Sequence, residues 1–227
     1  AMSLNNLSVQ QSDTGDRDAA LTSITEATNL YRTLAQANPA AFLPNLAGCL
    51  NNLSNQQGDT GDRDAALTSI TEAVRIRRTL AQANPAAFLP DLAGSLNNLS
   101  NQQSETGDRD AALTSITEAS DLYRTLAQAN PAAFLPDLAG SLNNLSVQQG
   151  ETGDRDAALT SITEATDLYR TLAQANPAAF LPNLAGSLNN LSVQQSETGD
   201  RDAALTSITE ATDLYRTLAQ ANPAAFL

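Results

Sequence analysis

Acidic side chains recur in this sequence at a turn that reads TGDRD, and carboxylates are the first groups that could do chemistry. In the first copy, Asp13, Asp16 and Asp18 gather there. Several carboxylates could hold calcium, but their spacing does not match the twelve-residue calcium-binding loop. Paired carboxylates could also act as acid and base, which requires environments that separate their pKa values. Five nearly identical turns offer no such difference, so the sequence favours helix capping.

The other reactive side chains also argue against catalysis. The chain has no His, and its one cysteine, Cys49, replaces a serine of the other copies. A lone cysteine without these partners forms no disulfide, zinc site or nucleophilic dyad. The sequence shows no glycine-rich phosphate loop. We therefore predict a protein that is not an enzyme and that uses no metal and no cofactor.

The charge of the chain restricts its partners. Its 227 residues include 12 basic residues, all Arg, and 25 acidic residues, for a net charge of −13. This charge repels phosphate backbones and anionic lipids within a Debye length of about 8–10 Å. No apolar stretch approaches the roughly 18 residues of a membrane span. We expect no binding to nucleic acid or membranes, and the unpaired thiol suits a cytoplasmic location.

A period of 46 residues dominates the sequence. The hexapeptide SLNNLS, once CLNNLS, opens five copies. We predict one continuous domain of repeats 3–48, 49–94, 95–140, 141–186 and a truncated fifth, 187–227. Residues 1–2 match no later copy and suggest a cloning remnant. The chain stops where earlier copies continue with proline, which suggests a fragment of a longer protein.

Each copy contains two helical segments. In the third copy, leucines at helical spacing follow Pro90 and predict a first helix of about 15 residues that begins at this proline. Gly107 can end that helix with a positive φ, and Asp108 can cap the second helix. The second helix, of about 20 residues, ends at Asn130 because the next residue is proline. We expect about three quarters of the residues to be helical.

Apolar stripes on both helices require that the copies stack. One stripe contains Leu92, Leu96 and Leu99 on the first helix, and the second helix carries another. The members of that second stripe are Ala112, Ile116, Ala119, Tyr123 and Leu126. A single helical hairpin cannot cover these surfaces, whereas hairpins stacked on one another can.

These residues resemble the tetratricopeptide repeat signature. Its small and apolar positions match Leu4, Leu7, Ser8, Gly15, Ala20, Ile24 and Ala27. The string LNNLS…TGDRDAA is similar to the extended repeat of kinesin light chains. The resemblance implies an all-α fold of the α-solenoid type, a right-handed superhelix of five tetratricopeptide-like helix pairs. Two residues, Gln11 and Arg17, occupy positions that are usually aromatic. The period also exceeds the usual length of about 34 residues, so we expect AQANPAAFLP to lengthen the second helix and enlarge the following turn.

Two rows of asparagines are the candidate binding residues. One row contains Asn5, Asn51, Asn97, Asn143 and Asn189, and the other contains Asn6, Asn52, Asn98, Asn144 and Asn190; Asn55 and Asn101 lie one turn further on. The resemblance implies that these positions line a concave groove and hold the backbone of an extended peptide. A primary amide can pair with peptide N–H and C=O groups. Alternatively, the amides bond to one another and support the stack.

Other features of the repeat leave two interpretations open. Acids on the same face as the asparagines, Asp13, Asp59, Glu105, Glu151 and Glu197, favour a neutral or cationic peptide. Glycines inside the first helix, Gly48, Gly94, Gly140 and Gly186, indicate either close helix packing or an open groove floor. The string VRIRR of the second copy, with Arg75, Arg77 and Arg78, is either a solvated face or a contact for an acidic partner.

These features predict a non-enzymatic protein–protein interaction scaffold whose partner is a protein or an extended peptide. The alternative is a self-associating array. Neither end of the chain carries the polar face that caps repeat arrays. Copies could therefore stack end to end, or exchange terminal segments, to form homo-oligomers.

Overall fold

The described residues form ten α-helices. The structure is a computed structural model that describes residues 1–221, of which 91% are helical. The helices are α1 (Met2–Asp13), α2 (Arg17–Ala37), α3 (Pro39–Asp59), α4 (Arg63–Ala83), α5 (Pro85–Glu105), α6 (Arg109–Ala129), α7 (Pro131–Glu151), α8 (Arg155–Ala175), α9 (Pro177–Glu197) and α10 (Arg201–Ala221). No strand occurs in this part of the chain, so the all-α prediction is confirmed and the helical fraction exceeds the expected three quarters. The end of the predicted fifth repeat, residues 222–227, lies outside the described residues.

The first helix of the later copies is longer than predicted. In the third copy it begins at Pro85 and contains 21 residues, so the predicted start at Pro90 was wrong. Proline inside a helix removes one donor and leaves the carbonyl four residues earlier without its partner. That carbonyl belongs to Ala86, which is exposed and can bond to water instead. The helix therefore continues through Pro90.

The connection between hairpins is a single asparagine, and the expected bulky turn is absent from the described residues. Asn38 closes α2, where its N–H donates to the Leu34 carbonyl at 2.9 Å. Its side-chain oxygen then accepts from the N–H of Ala41 in α3, at 3.3 Å. The second helices have 21 residues, close to the predicted 20. The additional residues of the long period therefore lie in the first helix.

The turn within each hairpin has the predicted chemistry. Gly107 has a φ of +88°, a conformation that L side chains rarely adopt. The Asp108 carboxylate accepts from the N–H of Ala111 at 3.2 Å and caps α6. The acids of the TGDRD turns thus have a structural role as helix caps.

The predicted apolar stripes form the core of two units. The first unit is Ala1–Ala119, in which each helix from α1 to α5 packs against the next. The second is Ser120–Leu227, in which α7 to α10 pack in the same way. The stripe residues Leu96 and Ile116 are 1% and 0% exposed. Leu7 differs from the prediction and is 46% exposed, whereas its equivalent Leu53 is 7% exposed.

Ion pairs join successive second helices at a constant separation of 40 residues. Within residues 1–119 they are Arg32–Glu72 and Arg78–Glu118. Within residues 120–221 they are Arg124–Glu164 and Arg170–Glu210. Each pair is partly exposed, so it contributes no more than about 1 kcal/mol. The pairs nevertheless specify which positions of neighbouring hairpins meet.

Glutamines replace aromatic packing between the two helices of a hairpin. The Ser23 hydroxyl of α2 donates to the side-chain oxygen of Gln11 in α1 at 2.7 Å. The same bond recurs in the other four hairpins: Ser69–Gln57, Ser115–Gln103, Ser161–Gln149 and Ser207–Gln195. A polar pair therefore occupies the position where the tetratricopeptide signature usually has an aromatic residue.

A second glutamine of the first helix contacts the preceding copy. The side-chain nitrogen of Gln56 donates to the Ser12 hydroxyl at 3.1 Å. Gln102 occupies the equivalent position one copy later, where it faces Gly58 rather than serine. A Cβ atom at Gly58 would lie 3.2 Å from the Gln102 side-chain nitrogen. Gly58 thus offers no acceptor where Ser12 offers one.

We predict that Gly58→Ser stabilises the protein by about 1 kcal/mol. Serine in a helix gains about 0.5 kcal/mol over glycine, and the new hydrogen bond to Gln102 supplies the rest. Urea unfolding followed by circular dichroism measures the difference. Gly58→Ala is the matched control, because alanine has the better helix propensity but no acceptor. An alanine variant that exceeds the serine variant by the full difference in helix propensity, about 0.5 kcal/mol, would contradict this role of the hydroxyl.

Candidate functional site

A pocket of about 520 Å³ lies among the first helices of the unit formed by residues 1–119. Its walls include the predicted residues Asn5, Asn6 and Asn52. The pocket also contains Gly48 and Arg77, for which the sequence left a groove floor and a partner contact open. The structure adds residues that the sequence analysis did not name as binding residues: Met2, Tyr31, Pro44, Asn45, Cys49 and Asp91. The pocket thus combines amides with a phenol, a guanidinium and a carboxylate.

The two asparagine rows are hydrogen-bonded to each other between neighbouring copies. The Asn52 amide donates to the Asn5 side-chain oxygen at 3.0 Å. The same bond joins Asn98 to Asn51 and Asn190 to Asn143, each at 3.2 Å. These contacts agree with the interpretation that the amides support the stack. Asn52, Asn98 and Asn190 each use only one of their two amide N–H groups in these bonds.

The predicted asparagines differ in exposure. Eight are half-buried: Asn5, Asn51, Asn52, Asn97, Asn98, Asn143, Asn144 and Asn190. Four are exposed: Asn6, Asn55, Asn101 and Asn189. Among the described residues, the exposed Asn6, Asn55 and Asn101 side chains have no hydrogen-bond partner. The exposed group therefore retains its full capacity to bind a ligand.

Two of the internal glycines, Gly140 and Gly186, face tyrosine hydroxyls. A Cβ atom at Gly140 would lie 3.3 Å from the Tyr169 hydroxyl, and one at Gly186 would lie 3.6 Å from that of Tyr215. At Gly140 and Gly186 the glycine therefore makes room for a tyrosine of the following second helix, which is a form of close helix packing. The constant separation of 29 residues between glycine and tyrosine was a sequence signal for this pair.

The second copy is different because Arg77 stands at the tyrosine position. At the matching glycine, Gly48, a Cβ atom would meet nothing within 4 Å. The pocket is therefore open beside Gly48, whereas Gly140 and Gly186 have a tyrosine hydroxyl beside them.

Arg77 lies between α3 and α5, so the interpretation of VRIRR as one solvated face was wrong. Its guanidinium donates to the Asp91 carbonyl at 2.9 Å and to the Ser95 hydroxyl. Arg75 is exposed, and Arg78 belongs to the ion pairs between second helices. The three arginines thus have three different environments.

Burial raises the pKa of two tyrosines, one in the pocket and one beside Gly140. Burial raises the pKa of Tyr31, and the nearby Cys49 raises it further. Burial also raises the pKa of Tyr169, partly offset by a hydrogen bond with Asn183, while the Asp137 charge adds to the rise. Both phenols are therefore donors at neutral pH.

Cys49 is a buried thiol beside the asparagine ladder. Its sulfur donates to the Asn5 side-chain oxygen at 3.5 Å, and its residue is 3% exposed. Burial raises the pKa of this thiol to about 11. In the next copy the Ser95 hydroxyl makes the equivalent bond to Asn51 at 3.1 Å. Cys49 therefore acts as a substitute for serine in the ladder.

Two other kinds of site are absent from residues 1–221. In residues 1–221 no three His, Cys, Asp or Glu side chains are grouped as metal ligands would be. None of the helices described is both long and apolar enough to cross a membrane.

Solved structures share this fold. A Podosopora anserina protein described as a kinesin light chain with nearly identical TPR-like repeats matches with a TM-score of 0.71 and 13% identity, over 97% of this chain and 96% of that one. MamA from Desulfovibrio magneticus RS-1 matches with a TM-score of 0.60 and 15% identity, over 94% of both chains. YrrB, described as a TPR protein with an unusual peptide-binding site, matches with a TM-score of 0.55 and 16% identity, over 93% of this chain and 84% of that one.

These likenesses define the fold as a tetratricopeptide-like helical repeat, as the signature residues predicted. The family model described as Anaphase-promoting complex subunit 5 matches residues 1–43, 46–89 and 171–222, more than half of the chain. The chain belongs to this tetratricopeptide-like family. No curated protein sequence matches the chain.

We predict that the stability of the wild type falls relative to Cys49→Ser between pH 9 and pH 11. The thiol binds its proton more tightly in the folded state, because its pKa is about 11 there against 9.0 for a free thiol. Its contribution is therefore fully present below the unfolded pKa and is lost as the pH rises. At about 1.4 kcal/mol per pKa unit, the loss approaches 2–3 kcal/mol.

Urea unfolding of both proteins at pH 7, 9 and 10.5 measures this difference. The serine variant is a matched control, since the other copies carry serine at this position. Tyrosines other than Tyr31 ionise alike in both proteins, and Tyr31→Phe in both backgrounds removes the one tyrosine whose pKa Cys49 affects. Parallel pH profiles would show that the Cys49 proton is not held by the fold.

Proposed function

We propose that the protein is a non-enzymatic interaction scaffold that holds an extended segment of a partner protein against its first helices. The observation that carries this proposal is the pocket of about 520 Å³ in which amides of both rows meet Tyr31. The family description, a subunit of a complex, is in keeping with a role in protein contacts. The description of YrrB, with a peptide-binding site, supports the same class of function.

The pocket offers unused donors and acceptors to a peptide backbone. Asn6 is exposed, and Asn52 donates one of its two N–H groups to Asn5. The remaining amide groups can pair with N–H and C=O groups of an extended strand, whatever its sequence. Tyr31 adds a phenol of raised pKa that can donate to a carbonyl. Such contacts bind a backbone with little selection among side chains.

Charge favours a neutral or cationic partner segment. The pocket contains Arg77 and Asp91, whose charges oppose each other. The whole chain carries −13, which disfavours an anionic segment at a distance and speeds the encounter with a cationic one. We expect affinity for a cationic segment to fall as salt concentration rises.

We predict that Asn6→Ala weakens peptide binding roughly tenfold without loss of stability, because its amide makes no hydrogen bond within the described residues. Asn52→Ala should weaken binding and also lower stability by about 1 kcal/mol, because it removes the bond to Asn5. The probe is a peptide of about 12 residues selected on the wild type from a random library, and fluorescence anisotropy gives its Kd. Urea unfolding gives the stability.

Asn29→Ala is the control for this experiment, because Asn29 is exposed on α2 and is not part of the pocket. If the Asn6→Ala and Asn29→Ala variants both bind the peptide with the Kd of the wild type, the proposed location of the site is overturned. If no library peptide binds the folded protein more tightly than it binds the denatured protein, the scaffold function is overturned.

The second candidate function that we propose is self-association, which uncovered apolar residues at both ends favour. Tyr215 of α10 is 40% exposed, whereas the equivalent Tyr169 is 6% exposed. Leu205 is 66% exposed, and Leu7 of α1 is also uncovered. Sedimentation velocity should show an average mass that rises with protein concentration. A monomeric mass across a hundredfold range of concentration would exclude this function.

A further inference from the structure

Three contacts between neighbouring hairpins recur at fixed separations and define a register. The ion pair joins positions 40 residues apart, as in Arg170–Glu210. The asparagine bond joins positions 47 residues apart, as in Asn190 to Asn143. Hydroxyls pair 21 residues apart, as in Thr166 and Ser187, at 2.8 Å. These contacts specify which positions of one hairpin meet which positions of the next.

The last hairpin has one member of each contact pair, and the first hairpin has the matching member. The pairs are Arg216 with Glu26, Asn189 with Asn6, and Thr212 with Ser3. We propose that a second copy of this chain docks its first hairpin on the last hairpin of the first copy. Glu26 of one copy then meets Arg216 of the other, and Asn6 meets Asn189. The proposal rests on self-association as a function and adds the surface and its orientation.

The polar partners at the two ends are accessible. Glu26 is exposed on α2 and has no ion pair within residues 1–221. Arg216 is exposed on α10 and contacts Asp213 of its own helix at 3.0 Å. That contact does not prevent the proposed pair, because Arg124 contacts Asp121 and Glu164 together.

Hydrogen-bonding groups continue the same register. Asn189 is exposed, whereas its equivalent Asn143 is half-buried and accepts from Asn190. Asn6 is exposed and would supply the missing donor. The Thr212 hydroxyl donates to the Ile208 carbonyl at 2.7 Å. The equivalent Thr166 hydroxyl makes the same bond to the Ile162 carbonyl and also contacts the Ser187 hydroxyl. Ser3 occupies the position of Ser187 in the first copy and would meet Thr212.

Apolar burial provides the driving force at the same surface. Ile208 and Tyr215 are uncovered on the last hairpin, although Ile162 and Tyr169 are 0% and 6% exposed. A docked hairpin would cover them as the next hairpin covers their equivalents, and burial of apolar surface stabilises at about 25 cal/mol per Å². A second copy suits this surface better than an unrelated partner, because its charge, amides and hydroxyls all fall in register.

The contact is heterologous, since it joins two different surfaces of the same chain. Each docked copy leaves its own last hairpin uncovered, so association can continue beyond two copies. The proposed assembly is therefore an open series of chains with one polarity.

Charge reversal tests the register on the full 227-residue chain. Glu26→Arg places two arginines at every junction, and Arg216→Glu places two glutamates there. Each single variant should weaken self-association about tenfold in sedimentation equilibrium. The double variant restores opposite charges at the junction and should recover the wild-type association. An equimolar mixture of the two single variants should also associate, because each one supplies the complement of the other.

Asp167→Arg is the matched control for the change in charge. It lies on the exposed face of α8, away from both ends, and the second copy naturally has Arg75 at this position. Association of this variant should equal that of the wild type. If the wild type associates but the single reversals do not weaken it, or the double variant does not recover it, the register is wrong while self-association stands. A wild type that remains monomeric would overturn both.

Discussion

The fold depends on one constraint, that a helical hairpin of this composition cannot bury its own apolar surface. Ile24, Leu50 and Ile70 lie on three different helices of the first two hairpins, and all are 0% exposed. They reach this state because each helix packs against the helices before and after it within its unit. Stability is therefore shared between neighbours. The same dependence explains why the end hairpins expose side chains that are buried elsewhere.

Polar side chains give this apolar stack its register. Leucine and alanine surfaces alone would permit neighbouring hairpins to shift, since dispersion contacts have little direction. The asparagine bonds, the Ser–Gln bonds and the Arg–Glu pairs each require particular positions to meet. Their individual energies are small, about 1 kcal/mol or less. Their repetition along the chain makes one alignment more favourable than its alternatives.

Much of the fold could be predicted from the sequence, because periodicity, positive-φ glycine and capping residues act locally. The stripe at Leu92 and Leu96, the turn at Gly107 and the cap at Asp108 followed from these rules. The start of the first helix did not, since proline is favoured in the first turn of a helix and disfavoured inside one, whereas Pro90 lies inside α5. The pocket was missed for a different reason: Tyr31 and Arg77 meet the asparagines only through packing between copies, which no local pattern reveals.

The single asparagine between hairpins has a consequence for how the array can melt. The backbone N–H of Asn38 ends one helix, while its carboxamide begins the next. Fraying of either helix end disturbs the residue that holds the other. We therefore expect hydrogen exchange at the end of α2 and at the start of α3 to be coupled through Asn38.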